Sequence, residues 1–154
     1  MITLKKTPGK DFIILNFSDP QLGDDEWSPD HKNRKILTGT ATEIINRVHP
    51  DLITISGDLA WSEDYTAYRR LADFIDSFGI PWTCCWGNHD NQSGPEAVNK
   101  VLDDYLKRPL FRYEKGDPLL GNGNFVIRIE ESGRPVEGII IMDTPDRMLI
   151  PTKT

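Results

Sequence analysis

Leu52-Ile-Thr-Ile-Ser-Gly-Asp-Leu59 is the stretch that decides the fold, because here an apolar run ends in a glycine and a carboxylate. A continuous apolar run of this length is typical of a strand that is buried on both faces of a sheet. Two similar runs, 11–18 and 81–86, precede and follow it along the chain, and both are predicted to be strands. We expect all three strands to be covered on both faces.

The segments between these strands have the apolar spacing of amphipathic helices. The first helix is predicted to begin at Ser28-Pro29, a pair suited to an N-cap and a first turn, and to end before Pro50. The second helix has apolar residues on one face from Tyr68 onward and stops at Gly79. The order strand–helix–strand–helix–strand, with right-handed crossovers, predicts an α/β fold with a parallel β-α-β-α-β core.

Beyond the third strand, the pattern predicts a helix and then a β-hairpin. The helix is marked by Val98, Val101, Leu102 and Tyr105. The hairpin strands, 124–130 and 136–143, flank the turn residues 131–134. In the second hairpin strand, the unbroken apolar run 139–142 is typical of a strand covered on both faces.

The composition describes one small domain. The 154 residues are 38% hydrophobic and carry a net charge of −6, which gives enough apolar residues for one core and too few for two. A sequence pI near 5.0 argues against a general binder of nucleic acids or anionic membranes, which would present a basic face. No apolar run approaches the ~18 residues of a membrane helix, and the N-terminal residues lack the pattern of a secretory signal. We therefore expect one cytoplasmic domain over residues 1–154, with neither a nucleic-acid nor a membrane partner.

The two cysteines, Cys84 and Cys85, are adjacent in the third predicted strand, where neighbouring side chains point to opposite faces. A bridge between them is therefore not expected, and we interpret them as core thiols. A cysteine phosphatase is excluded, because the positions at which it needs an arginine hold Asp90 and Asn91.

Polar residues follow each of the three predicted parallel strands. The first loop (18–23) contains Asp19 and Gln21, the second (56–59) contains Asp58, and the third (86–90) contains Asn88, His89 and Asp90. Ligand sites in open parallel sheets lie beyond the carboxyl ends of the strands. We therefore expect the three loops to meet at one edge of the sheet.

Each loop taken alone has an ordinary structural explanation. An aspartate after a strand is often a turn or helix-cap residue, and His89 alone would be read as a loop histidine. The combination is different, because two carboxylates about 4 Å apart repel by roughly 4 kcal/mol at an effective dielectric of 20. A fold that brings them together needs a cation. Asp, Asn and Gln oxygens suit Mn²⁺, Fe or Mg²⁺, and a further histidine would add Zn²⁺.

The order Asp-x-Gln, Gly-Asp and Gly-Asn-His-Asp in these loops resembles the calcineurin-like metallophosphoesterase superfamily. The later segments 113–116, 121–126 and 142–144 look most like the branch related to purple-acid-phosphatase-type phosphohydrolases. The resemblance implies the N-terminal half of an αββα sandwich. The longer Gly-Asp signature of the protein Ser/Thr phosphatases is not found in this sequence.

The resemblance also implies roles for the loop residues. Asp19 and Gln21 would bind a first metal ion, although Gln21 stands where the family more commonly has a histidine. Asp58 would bridge the first ion to a second, which Asn88 would also bind. His89 would lie near the substrate phosphate and donate a hydrogen bond or a proton to the leaving oxygen.

Asp90 is grouped with His89 as a catalytic residue, with two interpretations open: it orients His89, or it caps the loop. The chemistry implied by the resemblance is hydrolysis of a phosphomonoester or phosphodiester. Water would be activated between two divalent ions, which could be Mn, Fe, Zn or Mg. No covalent phosphoenzyme is required.

The superfamily pattern continues with a further histidine and a Gly-His-x-His element, which this sequence does not contain. Its histidines are His31, His49 and His89, and the first two are expected at surface positions beside the first helix. The second ion would keep two ligands, whereas hard cations take about six. We expect weak metal binding, and a homo-oligomer, a domain swap or a companion chain that supplies the missing histidines. The alternative function is a non-catalytic remnant that acts as a binding or regulatory module.

The substrate is expected to be a small phosphoester. The acidic run 24–26 beside the first loop would disfavour polyanionic substrates, but a solvated loop is the favoured interpretation. Trp27, Trp61 and Tyr65 could line a pocket and stack on a planar group, or they could pack against the helices.

Overall fold

The fold is described from a computed structural model, which describes residues 1–92, 95–117 and 121–143. Eight strands, three α-helices and one short 3₁₀ helix occur in these residues. In chain order they are β1 (Ile2–Lys6), β2 (Ile14–Phe17), β3 (Leu22–Gly23), the 3₁₀ helix (Asp25–Trp27), α1 (Lys32–Val48), β4 (Leu52–Ser56), β5 (Ala60–Trp61), α2 (Thr66–Asp76), β6 (Trp82–Cys85), α3 (Pro95–Tyr105), β7 (Phe125–Glu131) and β8 (Arg134–Ile141).

The central sheet contains β2, β4 and β6 in that order, and both of its strand pairs are parallel. Helices α1 and α2 form the two crossovers, and α3 follows β6. The predicted β-α-β-α-β core, followed by a helix and a hairpin, is therefore confirmed. Because all three strands run in the same direction, the loops that follow them emerge at the same edge of the sheet.

The prediction that all three strands are covered on both faces is wrong for β2. Leu52 and Ile53 of β4 are fully buried, but Ile14 of β2 is 43% exposed. Strand β2 lies at one end of the strand order, so it lacks a neighbour on one side within the described residues. A continuous apolar run therefore does not distinguish an edge strand from a central one.

Helix α1 begins three residues later than predicted. Ser28 belongs to the turn that ends the 3₁₀ helix, where its backbone N–H donates to the carbonyl of Asp25 over 3.2 Å. His31 is the N-cap instead, and its Nδ1 accepts a hydrogen bond from the backbone of Asn33 over 3.2 Å. His49 ends the helix in the left-handed conformation. These two histidines thus serve as the caps of α1.

A second sheet contains β1, β7 and β8, with β1 parallel to β7 and the pair β7–β8 antiparallel. The hairpin is confirmed, and its two central turn residues, Ser132 and Gly133, both have positive φ. Strand β1 was not predicted. The expectation that the run 139–142 is covered on both faces is wrong, because Ile140 is 68% exposed. Thr144, the last residue of the motif 142–144, lies outside the described residues.

The two sheets are joined by a cluster of aromatic rings whose centroids lie 4.5–6.4 Å apart. Its members are Trp82, Trp86, Tyr105, Phe111, Tyr113 and Phe125. Cys84 is buried beside it and Cys85 is partly buried; both thiols are free, and burial raises the pKa of each. None of the helices in the described part of the chain is both long and apolar enough to cross a bilayer.

Candidate metal and catalytic site

The first and second loops are joined by backbone hydrogen bonds. The N–H of Asp19 donates to the carbonyl of Gly57 over 3.3 Å, and the N–H of Gln21 donates to the carbonyl of Asp58 over 3.1 Å. The short parallel pair β3–β5 continues this contact. Asp19, Gln21 and Asp58 all have positive φ, which is uncommon outside glycine and is often found at functional sites. The sequence prediction that these two loops meet is therefore supported by direct contacts.

The second and third loops touch through two glycines. A Cβ added to Gly57 would lie 2.9 Å from the Cα of Gly87, and a Cβ added to Gly87 would lie 2.0 Å from Oδ1 of Asp58. The backbone N–H of His89 donates to the same Oδ1 over 3.0 Å. Asp58 is 8% exposed, so its carboxylate lies between the loops with little contact to solvent. Only glycine allows so close an approach at these positions.

Asp90 holds the second and third loops together. Its carboxylate accepts hydrogen bonds from the N–H of Leu59 (3.0 and 3.2 Å), the N–H of Gly87 (2.8 Å) and the hydroxyl of Tyr68 (2.9 Å). Asp90 is 4% exposed, and burial raises its pKa. These contacts support the loop-capping interpretation of Asp90; a catalytic role for this residue stays a prediction.

The remaining donor side chains are accessible. Asp19 and Asn88 are exposed and Gln21 is half-buried. The Ser18 hydroxyl donates to the Asp19 carboxylate. Two carboxylate and two amide groups thus occur in loops that contact one another, and their hard oxygen donors fit a divalent cation.

This donor set is small. Across residues 1–92, 95–117 and 121–143, no three side chains among His, Cys, Asp and Glu come close enough together to hold a metal ion. The Asp90 carboxylate is occupied by the hydrogen bonds that hold the second and third loops together, an arrangement we call the Asp90 clamp. The carboxylates that remain available from the three loops are those of Asp19 and Asp58. The residues present therefore fit part of a metal site in donor chemistry, and they leave most of the positions around a second ion to other ligands.

His89 lies at the border between this site and a cavity of about 190 Å³. Its Nδ1 lies 2.9 Å from the amide nitrogen of Gln92, and its ring centroid lies 5.3 Å from that of Trp61. Trp61 and Tyr65 line the cavity, as one of the two interpretations expected. Trp27 does not: it is buried in the core, so for this residue the packing interpretation is the one that holds.

The acidic run 24–26 is not simply a solvated loop. Asp24 accepts hydrogen bonds from the Ser62 hydroxyl (2.6 Å) and the N–H of Ala67 (2.8 Å), so it caps the start of α2. Glu26 accepts from the N–H of Gly23 over 2.7 Å and from the amide of Asn33, and these bonds hold its pKa below the usual value. Asp25 alone of the three is exposed. The run thus helps to fix the first loop.

Sequence reasoning missed a second support for the third loop. The Asn91 amide donates to the carbonyl of Gly87 over 2.9 Å and accepts from the Asn122 amide over 3.3 Å. The backbone N–H of Asn122 in turn donates to Asp143 over 2.5 Å. Burial raises the pKa of Asp143, and its other oxygen is buried without a hydrogen-bond partner among residues 1–92, 95–117 and 121–143. The repeated Gly-Asn of residues 121–124 is the sequence signal that could have indicated this support.

Comparison with known proteins shows which proteins this chain is similar to. One curated relative is a probable cyclic nucleotide phosphodiesterase of Synechococcus sp., with 31% identity over 40% of this chain and 24% of the relative. Another is a cAMP/cGMP dual specificity phosphodiesterase of Mycobacterium tuberculosis, with 30% identity over 63% of this chain and 32% of the relative. A third is a probable cyclic nucleotide phosphodiesterase of Fibrobacter succinogenes, with 36% identity over 58% of this chain and 34% of the relative. The chain thus spans about a quarter to a third of the length of these relatives. The family model for the calcineurin-like phosphoesterases matches residues 12–145, and the chain belongs to this family.

Proposed function

We propose that this chain forms the N-terminal metal-binding part of a phosphoester hydrolase. The observation that carries the proposal is the position of Asp58, which contacts both neighbouring loops: its carbonyl accepts from Gln21 and its carboxylate from His89. A single carboxylate held between two other donor-bearing loops is the arrangement that a bridging ligand needs. Family membership supports hydrolysis of a phosphoester in general.

In this proposal, Asp19 and Gln21 would help to hold one divalent ion and Asn88 a second, with Asp58 shared between them. Divalent ions held by these residues would supply charge neutralisation at a phosphate and a lowered pKa of bound water. Asp90 and Tyr68 keep the loops at their spacing and need no contact with substrate.

His89 is proposed to act on the leaving oxygen. If the Gln92 amide donates to Nδ1 of His89, the ring is neutral and its proton resides on Nε2, where it is available as a hydrogen-bond donor to the leaving oxygen. Trp61 packs against the same ring and limits its rotation. The side chain is thus held in one orientation by two neighbours.

For the substrate, we propose a phosphodiester in preference to a phosphomonoester. The names of the three curated relatives, all cyclic nucleotide phosphodiesterases, support this choice. The segments 113–116, 121–126 and 142–144 look most like the purple-acid-phosphatase-related branch, and that closer placement stays part of the proposal. The missing histidine ligands are proposed to come from a companion chain, and a homo-oligomer or a domain swap is proposed to cover the exposed face of β8 around Ile140.

The test is Mn²⁺ titration by calorimetry, together with hydrolysis of bis(p-nitrophenyl) phosphate. The chain alone should bind Mn²⁺ weakly, and Asp58→Asn should weaken that binding at least tenfold. Asp25→Asn is the matched control, because Asp25 is an exposed carboxylate of the 3₁₀ helix and is not among the proposed ligands. The proposal is contradicted if Asp58→Asn leaves the Mn²⁺ affinity unchanged. It is also contradicted if the chain alone has two tight sites and ordinary turnover.

A second candidate function is that of a non-catalytic binding or regulatory module. The small donor set of the described residues favours it. The two candidates differ in one respect: a hydrolase part should gain turnover when a chain carrying a Gly-His-x-His element is added, whereas a binding module should not.

A further inference from the structure

A cavity next to the metal-binding loops has no ligand assigned to it in the proposed chemistry. It measures about 190 Å³ and lies between β5, α2, α3 and the third loop. Among the loop residues discussed above it includes His89 and Asp90, but none of the four proposed metal ligands lines it. A group in this cavity would therefore sit beside the reacting phosphate and not on it.

The volume limits what the cavity can hold. Pockets for whole drug-sized ligands measure about 300–1,000 Å³, whereas an apolar cavity of about 150 Å³ is known to hold benzene. At about 190 Å³, this cavity fits one flat ring system, and the rest of a ligand would extend out toward His89.

The walls offer ring faces. Trp61 lines the cavity and is 54% exposed, so part of its ring surface is accessible to a ligand. Deeper in, the polar tips of Tyr68 and Trp86 are already bonded, to Asp90 over 2.9 Å and to the Tyr113 hydroxyl over 2.8 Å. These two residues therefore present mainly apolar surface to a ligand. The floor is completed by Ala60, Ala97, Val98 and Val101.

The lining also contains a hydrogen-bond acceptor, Glu63, and a residue with an unusual backbone conformation, Tyr65. Glu63 is an exposed carboxylate in the lining, so it attracts N–H donors and repels a second anionic group. Tyr65 caps α2 with φ 65°, a conformation that a bulky residue rarely adopts. A strained aromatic residue at a cavity wall is typical of positions where function opposes the local preference.

We propose that this cavity binds the nucleobase of a nucleotide ester, stacked on Trp61 with an N–H donor directed to Glu63, while the phosphate lies at His89. The inference rests on the proposed function, since it names the part of the substrate that this site would recognise. It assigns Trp61 and Glu63 as residues that determine specificity.

The test uses adenosine as the probe, titrated by calorimetry into the full chain with EDTA present. Adenosine should bind, and ribose, which has no base, should not. Trp61→Ala should weaken adenosine binding about tenfold or more, as expected for loss of one base–aromatic stack, and Trp61→Phe should restore most of it. Ile36→Ala is the matched control, because Ile36 on α1 is also 54% exposed and lies outside the cavity lining.

Glu63→Gln is a second variant that does not depend on core packing, because Glu63 is exposed. It should weaken adenosine severalfold but leave purine riboside, which lacks the amino group, unchanged. Equal binding of adenosine and ribose, or adenosine affinity unaffected by Trp61→Ala, would overturn the inference.

The two proposals fail in different ways. If Mn²⁺ binding depends on Asp58 but adenosine does not bind, the cavity inference is wrong and the proposed function stands. If Trp61→Ala weakens adenosine binding but Asp58→Asn leaves the Mn²⁺ affinity unchanged, the cavity is a nucleoside site and the proposed hydrolase function is wrong.

Discussion

Substitution of Gly87 by alanine tests how closely the second and third loops approach each other. A Cβ at this position would lie 2.0 Å from Oδ1 of Asp58 and 2.4 Å from its backbone nitrogen. Since Cβ contacts under 3.0 Å are essentially never found, the Asp58 carboxylate would have to withdraw by about 1 Å. Rotation of the side chain cannot relieve the contact with the backbone, so the two loops themselves must separate.

Gly87→Ala should lower both the stability of the fold and its affinity for Mn²⁺. Overpacking of this kind destabilises a fold by about 1–3 kcal/mol, and each kcal/mol lowers Tm by roughly 2–4 °C in a chain of this size. The movement of Asp58 should also weaken Mn²⁺ binding by about tenfold or more, because changes in the groups that orient a ligand usually lower metal affinity by about 10–100-fold.

Thermal unfolding followed by circular dichroism measures the first effect, and calorimetric Mn²⁺ titration measures the second. Gly39→Ala is the matched control, because Gly39 lies within α1 and a Cβ there meets nothing within 4 Å. Alanine is favoured over glycine in a helix by about 0.5–1 kcal/mol. This control should therefore raise Tm and leave Mn²⁺ affinity unchanged.

The reasoning is refuted if Gly87→Ala unfolds at the temperature of the parent chain and binds Mn²⁺ as tightly. A lower Tm with unchanged Mn²⁺ affinity would keep the steric argument and remove Asp58 from the proposed ligand set.

Three other predictions follow from single contacts. Tyr68→Phe, which removes one donor to the buried Asp90 carboxylate, should lower the free energy of unfolding by about 1.5–3 kcal/mol in urea titrations; an unchanged midpoint would show that the clamp contributes nothing. Glu26→Gln should destabilise the chain by about 1 kcal/mol at pH 7. Because the folded pKa of Glu26 is lowered from 4.5, this difference should shrink as the pH falls below 4.5 through the folded pKa, and a difference that persists in acid would contradict the assignment. The chain should also self-associate through the exposed edge strand β8 in light scattering, Ile140→Lys should reduce the association, and a clean monomer at high concentration would count against it.

The order of the central strands and helices could be predicted because each element carries its own local pattern. The hairpin was equally local, since its turn residues lie between two apolar strands. Strand β1 escaped prediction because its partner is distant in sequence: Lys6 pairs with Glu131. Five residues with two apolar side chains do not reveal such a pairing.

The prediction of burial was less successful than the prediction of elements. The runs in β2 and 139–142 are as apolar as that in β4, yet Ile14 and Ile140 are exposed. An apolar run shows that its side chains are suited to a buried position. Whether they are in fact buried depends on which elements pack on each face of the sheet. That information is held in the tertiary arrangement and not in the run itself.

The meeting of the three loops could be predicted from the direction of the strands alone. The clamp formed by Asp90 could not, because one of its donors, the Tyr68 hydroxyl, comes from a helix whose orientation is fixed only by packing. The same limit explains Trp27, which is adjacent to the first loop in sequence but turns into the core.

The loop contacts bear on how metal binding relates to folding in this chain. In small zinc domains the ion supplies the free energy that orders the ligands. Here the loops are joined by Gln21 and His89 backbone bonds to Asp58 and by the Asp90 carboxylate, all of them bonds between protein groups. These bonds lower the ordering free energy that opposes metal binding, so we expect the number of donors to limit the affinity. A weak site in this chain would then reflect its short ligand list, and additional histidines should strengthen binding without changing the loops.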